Sequence, residues 1–264
     1  MKKTEHRPTE RVLDILELLS SNSEGLTLTE IADLIKAPKS TIYPIIHTMS
    51  KRKFIYMDKN TSKYSIGISS YCIGVSYTNN MNVLEFIKIQ MEHIVESSGE
   101  ICQLGVLDRE KVLYIAKVDS DEPIRLISSV GKRLPAYCTA LGKSLLCNKS
   151  IDELKLLYPD GLKPYTENTI TDFDELYNQL LKAKVDMFTS EYSEINDYTS
   201  CIAVPLFKDS KIIAALSVSV PSFRANDEKL QSIRNLLLEA RLKIESFFRE
   251  NNVDTDMFTF NTFD

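Results

Sequence analysis

Nowhere in the 264 residues is there an apolar run approaching the roughly 20 residues that a helical membrane span requires, so no such span is expected. Behind the charged N-terminal stretch MKKTEHRPTE no apolar segment follows; a signal peptide is therefore not expected, and the chain reads as cytoplasmic. Cysteine is sparse. Cys72, Cys102, Cys138, Cys147 and Cys201 form no CxxC pair, and their odd number argues against a disulfide framework. Histidine is sparser still, with His6, His47 and His93 at no metal-ligand spacing, so neither metal nor other cofactor is expected. No histidine follows His93. A thiolate enzyme would need a base or cation near Cys138 or Cys201, and the sequence proposes none, although such an enzyme, or a thiol redox sensor, remains the competing class.

The positive charge is concentrated. Residues 36–63 hold seven basic side chains and one acid, Asp58, in a chain of net charge −5. Residues 1–70 carry eleven basic and eight acidic groups, whereas 71–264 carry twenty-one and twenty-nine. Such asymmetry suits a head that meets phosphates and a body that does not. At this length, with 43% apolar and 26% charged residues, two domains with separate cores are expected.

Local pattern gives the head its form. Thr9 can cap a helix carrying Val12, Leu13, Leu16 and Leu19 on one face. Thr27 and Glu30 make a capping box before a second helix with Leu28, Ile31, Ala32 and Ile35 inward. After a turn at Lys36, Ala37 and Pro38, a third helix places Ile42, Ile45, Ile46 and Met49 inward and Lys39, Ser40, Thr41, Tyr43 and His47 outward. That is a helix-turn-helix, whose second helix would enter a major groove. Pro44 inside it costs about 3 kcal/mol in a helix interior, so a late start near Thr41 or a kink is expected. The runs 54–57 and 63–66 about Asp58, Lys59, Asn60 and Thr61 read as a hairpin, making the head a winged helix with Lys59 and Lys63 near the wing. The expected contacts to double-stranded DNA are Lys39, Ser40, Thr41, Tyr43, His47, Lys51, Arg52, Lys59 and Lys63.

A helical pattern then spans 71–98, broken at Asn79 and Asn80, with Val83, Leu84, Ile87, Met91, Ile94 and Val95 on one face. Two readings fit it: a linker that pairs with its own copy or braces the domains, and a helix packed on its own domain. Beyond Gly99, strands are expected at 101–107, 112–118 and 124–128, a loop at 130–139, and helices at 140–147, 151–157 and 173–184. A buried hairpin follows at 202–207 and 212–220, turned by Lys208, Asp209 and Ser210, then an amphipathic helix at 227–249. The last fourteen residues have no period and read as a loose tail that could dock on a neighbouring subunit.

Several stretches together resemble one family. SSVGKRLPAYCTALGKSLL at 128–146, YTENTIT at 165–171, and CIAVPLF and IIAALSVSVP at 201–221 are similar to the effector-binding domain of the isocitrate lyase regulator (IclR) family of bacterial transcription factors. RVLDILELL at 11–19, GLTLTEIA at 25–32, PKSTIY at 38–43 and KYSIG at 63–67 resemble its DNA-binding half. The resemblance implies an α+β architecture: an N-terminal winged helix-turn-helix domain (1–70), a linker helix (71–98), a C-terminal mixed α/β, GAF-like effector-binding domain (99–250), and a tail (251–264). It implies a homodimer or homotetramer on a palindromic operator, answering to a small organic or sugar acid, with no membrane partner.

Carried over position by position, the family's ligand site falls on Ala140, Leu141, Glu191, Cys201, Ser217 and Ser219. Helix-start amides near 139–142 suit a carboxylate, and Ser217 and Ser219 point to one side of a strand. A solvated sheet face is the competing reading for the serines, and a small buried hydrophobe for Cys201. The chain departs from the family in three places. Asp197, Tyr198, Thr199 and Ser200 stand where Pro-Gly is common, so the loop over the pocket is expected to differ in shape. Glu191 and Tyr192 replace an acidic pair. Pro44 replaces an arginine, so base contacts do not transfer.

Overall fold

A computed structural model describes residues 6–79, 82–122, 129–254 and 258. The chain divides into two compact units, Met1–Asn82 and Val83–Asp264.

In the first unit, three helices close over one apolar cluster. Helix α1 (Arg7–Ser20) contributes Ile15 and Leu19, α2 (Leu28–Leu34) Ile31 and Ala32, and α3 (Lys39–Lys51) Ile42, Ile46 and Met49. Full burial of such side chains contributes about 1.5–3 kcal/mol each, and this cluster orients α3. The expected inward face of α1 needs one correction: Leu13 is 55% exposed and Ile15, not Leu13, is buried. The Thr27–Glu30 capping box is present, with the Glu30 amide on Thr27 Oγ1 at 3.3 Å and the Thr27 amide on Glu30 Oε2 at 2.7 Å.

Helix α3 does not start late. It runs from Lys39 with Pro44 inside it, so the Ser40 carbonyl loses the amide that residue 44 would have supplied. Ser40 and Pro44 are both exposed, which leaves that carbonyl to water. The wing consists of β2 (Ile55–Met57) and β3 (Lys63–Ile66), paired antiparallel. A two-residue strand that the sequence reading missed, β1 (Leu26–Thr27), pairs with β3 and completes a three-stranded sheet. Helix α4 (Ile68–Asn79) follows, its start tied to the wing by Ser69 Oγ on the Arg52 carbonyl and Ser70 Oγ on the Phe54 carbonyl.

In the second unit, α5 (Asn82–Ser98) buries Val83, Leu84, Ile87, Met91, Ile94 and Val95, the face expected of it. Its Phe86 stacks on Phe247 of the last helix, α9 (Asp227–Glu250), with centroids 4.2 Å apart. The body is an antiparallel sheet in the order β6 (Arg133–Pro135), β5 (Lys111–Val118), β4 (Ile101–Asp108), β9 (Lys211–Pro221), β8 (Thr199–Lys208) and β7 (Thr189–Tyr192). Strands β6 and β7 correct the sequence reading, which had a loop at 130–139 and nothing at 189–192. Both are short edge strands without an apolar alternation of their own. The expected strand at 124–128 lies outside the described residues.

The β8–β9 hairpin turns through Asp209 and Ser210 alone, both at positive φ (49° and 65°), while Lys208 belongs to the strand. That is the geometry of a type I′ turn, which matches the twist of the strands it joins. Helix α6 (Ala140–Leu146) is buried at every residue, and α7 (Ile151–Leu157) and α8 (Phe173–Asp186) cover it. The described part of the C-terminal tail is not loose: Val253 and Phe258 are buried, and the Lys208 ammonium donates to the Val253 carbonyl.

Gly142 sets how closely α6 approaches the preceding turn, because a Cβ at that position would overlap the Ala136 carbonyl. Backbone cannot step aside as a flexible side chain can. Gly142→Ala is therefore expected to destabilise the second unit by about 3 kcal/mol, seen as a lower thermal midpoint for that unit in calorimetry of the full chain. An unchanged midpoint would show that α6 can move without loss.

Candidate functional site

In the first unit the packing of α3 decides what faces outward. With Ile42, Ile46 and Met49 buried, the opposite side of the helix presents Ser40, Pro44, His47 and Lys51, flanked by Tyr43 and Thr48, with Lys39 and Arg52 at its ends. Of the residues expected to face DNA, Lys39, Ser40, Tyr43, His47, Lys51, Arg52 and Lys59 are exposed. Thr41 and Lys63 are half-buried, which corrects the outward placement of Thr41 and sets Lys63 at the base of the wing. The wing turn is built on Asp58, whose Oδ1 accepts from the amides of Asn60 and Thr61 at 2.8 Å each and from Thr61 Oγ1 at 3.0 Å. The Thr61 and Asn60 bonds hold the Asp58 carboxyl below its ordinary value, so it stays ionised and the turn stays shaped, with Lys59 at its tip. Among the described residues, none of the basic side chains from Lys36 to Lys63 is in a salt bridge, so their charge is available to an outside anion.

In the second unit a cavity of about 390 Å³ opens between the sheet and α6. Ala140, Leu141, Glu191, Cys201, Ser217 and Ser219 all line it. Register explains why: Cys201 lies opposite Ser219 and Glu191, and Ser217 opposite Gln103, so the four strands β4, β9, β8 and β7 turn one file of polar side chains to the same side. The serines are 2% and 7% exposed, which excludes a solvated sheet face. Their hydroxyls both point to Gln103 Oε1, Ser217 at 3.3 Å and Ser219 at 2.9 Å, and Cys201 Sγ donates to Ser219 Oγ at 3.2 Å.

The sequence reading missed Gln103, Tyr114 and Thr199 inside the cavity and Lys132, Tyr165 and Asn196 toward its mouth. Only Gln103 left a readable signal, a lone amide in the apolar run ICQLGVL. Among the described residues that line the cavity, Lys132, which is exposed, is the one cation and Glu191 the one acid.

Glu191 is held from one side only. Its Oε1 accepts the Glu194 amide at 2.5 Å, whereas its buried Oε2 has no partner, and neither has the buried Oγ1 of Thr199. Burial pushes the Glu191 carboxyl up to about 7, against the hydrogen bond from the Glu194 amide, which favours the anion. Glu194 is fixed by two further ties. Its carboxylate pairs with the Lys143 ammonium, which also donates to Gln179 Oε1 at 2.9 Å, and its carbonyl accepts from Thr169 Oγ1 at 2.6 Å. Thr166 Oγ1 holds the neighbouring Ser193 carbonyl at 2.6 Å. The stretch YTENTIT thus straps the loop that covers the cavity, where Ile195 and Asn196 face inward.

The cysteines are poorly disposed for nucleophilic work. Burial pushes the Cys138 thiol up to about 12 and that of Cys201 well above its ordinary value, so both are thiols at neutral pH. Among the described residues, no three metal-binding side chains cluster, and no helix is long and apolar enough to cross a membrane.

Comparison with known proteins agrees with this geometry. The family described as bacterial transcriptional regulator IclR C-terminal matches residues 75–246, and the IclR helix-turn-helix domain matches residues 8–59. The HTH-type transcriptional regulator KdgR of Escherichia coli (strain K12) is 32% identical over 238 residues, which are 89% of this chain and 90% of that one. A crystal structure of an IclR transcriptional regulator from Alicyclobacillus acidocaldarius superposes with a TM-score of 0.85 at 24% identity, over 92% of this chain and 99% of that one. An IclR homologue from Microbacterium hydrocarbonoxydans, solved in complex with 4-hydroxybenzoate, superposes with a TM-score of 0.79 at 22% identity, over 92% and 99%. With a winged helix-turn-helix head, a polar-lined cavity in the body and these matches over both, the chain belongs to the IclR family: it is a DNA-binding transcriptional regulator with a C-terminal effector-binding domain.

Proposed function

We propose that a small organic or sugar acid bound in the C-terminal cavity sets the affinity of paired heads for a palindromic operator, in a homodimer or homotetramer connected through residues 71–98. The observation that carries this reading is the pair of buried, partnerless oxygens, Glu191 Oε2 and Thr199 Oγ1, on residues that line one cavity. A buried polar group without a partner costs about 1–3 kcal/mol, and a ligand bringing donors there removes that cost. Lys132 at the mouth, with the first-turn amides at Ala140 and Leu141, suits the ligand's carboxylate, while Glu191, Ser217 and Ser219 suit its hydroxyls. The 4-hydroxybenzoate complex of the Microbacterium hydrocarbonoxydans homologue supports a carboxylate of this size.

On the DNA side, α3 lies in the major groove with Ser40, Tyr43 and His47 toward it, Thr41 at its flank, and Lys39, Lys51, Arg52, Lys59 and Lys63 near phosphates. Effector coupling of the usual strength, about 1–3 kcal/mol, changes operator affinity about 5- to 150-fold. The raised thiols of Cys138 and Cys201 and the regulator names of the relatives disfavour a thiolate enzyme.

The reading is tested by screening keto acids and sugar acids for a thermal shift of the full chain, then measuring operator affinity with each hit. A stabilising acid that shifts affinity without being consumed supports it; turnover of the acid speaks for an enzyme. Three outcomes are expected of variants. Lys39→Ala weakens operator binding and lowers the salt slope by about one, with effector affinity unchanged; equal slopes for parent and variant remove Lys39 from the phosphate contacts. Ser217→Ala lowers affinity for the stabilising acid about fivefold, the worth of one hydrogen bond, by calorimetric titration.

The third concerns pH. The folded chain holds the Glu191 proton up to about 7 and the unfolded chain releases it near its ordinary value of 4.5. Between those values the native state binds more protons, so this group's contribution to stability falls as pH rises. Glu191→Gln abolishes that slope. The thermal midpoint of the parent should drop more than that of the variant from pH 5 to pH 7.5 in the absence of ligand, and parallel drops would count against it.

A further inference from the structure

The outward face of α3 is short of the groups that usually read guanine. Between Ser40 and Ser50 it carries no arginine, lysine, asparagine or glutamine, which are the side chains that bind a purine edge through two hydrogen bonds at once. Opposite the buried stripe of Ile42, Ile46 and Met49 the helical period sets Ser40, Pro44, His47 and Lys51, with Tyr43, 56% exposed, beside them. Serine and histidine offer single hydrogen bonds. Pro44 and Tyr43 offer apolar surface, and in the middle of the helix that surface is what a base edge meets first.

Proline at this place has a cost in helix stability and is not part of the buried core of the head, although one side of it borders an apolar groove with Pro8, Thr9 and Val12 of α1. It is exposed, and the buried cluster is complete without it. Its pyrrolidine ring adds an apolar ridge to a face that must otherwise lie against polar base edges. In the major groove only one base presents a matching apolar group, the C5-methyl of thymine. The cations at the helix ends and the wing, Lys39, Lys51, Arg52 and Lys59, supply sequence-independent grip on phosphates and so do not alter this preference.

We infer that each half-site of the operator is read at its centre through a thymine methyl seated against Pro44 and Tyr43, with no bidentate guanine contact from the middle of α3. This rests on α3 being the groove-reading helix. The partner it specifies is a duplex whose half-site centres are A·T pairs with thymine on the strand facing Pro44.

The test removes only the methyl. The full chain selects its site from a pool of duplexes with a randomised core, and each thymine of the selected site is then replaced in turn by uracil. One thymine per half-site should show a loss of affinity of about threefold to fourfold on losing its methyl, the worth of one buried methyl-sized group, at unchanged salt slope. The same replacement should be silent for Pro44→Ala or Tyr43→Ala. Pro44→Ala restores a helical amide at an exposed position and should melt no lower than the parent, so its effect is not one of misfolding. Uracil replacement that is silent throughout a selected site overturns the inference while leaving α3 as the reading helix. So does a methyl penalty that persists in both variants, since the methyl is then read elsewhere. Failure to select any site overturns the DNA-binding assignment of the head and this inference with it.

Discussion

Lys143 is 1% exposed, and the cavity depends on how that charge is satisfied. A buried ammonium is tolerable only where its hydrogen bonds are made, and removing one partner of a buried pair costs about 3–5 kcal/mol. Two of its three donors go to Gln179 on α8 and to Glu194 in the loop after β7. The consequences run in one direction. Because Lys143 holds the Glu194 side chain, the Glu194 amide is fixed where it can bind Glu191 Oε1, and Glu191, a residue that lines the cavity, keeps its buried Oε2 without a partner. The same lysine is part of α6, the helix that brings Ala140 and Leu141 to the opposite wall. One ion pair thereby sets two sides of the ligand site at once, and Thr166 and Thr169 fix the covering loop through its carbonyls rather than its side chains.

The head solves a different electrostatic problem. Its cations lie at the surface, outside any salt bridge among the described residues, where solvation is cheap and a phosphate can replace water. The body pairs most of the few charges it buries: Glu100 with Arg224 and Lys229, Arg241 with Glu245, Lys143 with Glu194. Exposed unpaired charge suits a polyanion met at long range. Buried paired charge suits a small ligand, because in a low-dielectric cavity a single misplaced hydroxyl or carboxylate is costly, and selectivity follows.

What could be read in the sequence follows from the range of the forces involved. The three helices of the head, the wing, α5 to α9 and the β8–β9 hairpin were legible because each is fixed locally, by a period, a cap or a turn. Strands β1, β6 and β7 were not, since each is two to four residues long, too short to show a period, and is defined only by the strand it pairs with, for β1 and β6 one well away in the chain. The same distinction divides the ligand site. Ser217 and Ser219 could be placed on one face by alternation alone, but Gln103, 114 residues from Ser217, joins them only through the pairing of β4 with β9. The Lys143–Glu194 pair spans 51 residues and left no trace in either local pattern. Pro44 misled for the opposite reason: local propensity argued for a late helix start, and the packing of Ile42, Ile46 and Met49 overrode it.

The unsatisfied oxygens of the cavity bear on which ligands such a domain can hold. A ligand shifts a conformational equilibrium only by the difference in its affinity for the two states, so tight binding alone achieves nothing. Glu191 Oε2 and Thr199 Oγ1 are buried without a protein partner, so a ligand that brings donors to them stabilises the arrangement in which their residues line the cavity. Any alternative state that lets water reach those atoms relieves the penalty of their burial without ligand. A ligand that satisfies both atoms therefore gains the most from the arrangement described here. Filling the cavity with apolar bulk would improve packing in this state and yet leave the penalty in place. On this reasoning the polar file along β7, β8, β9 and β4, more than the volume of the cavity, determines which ligands the cavity accepts.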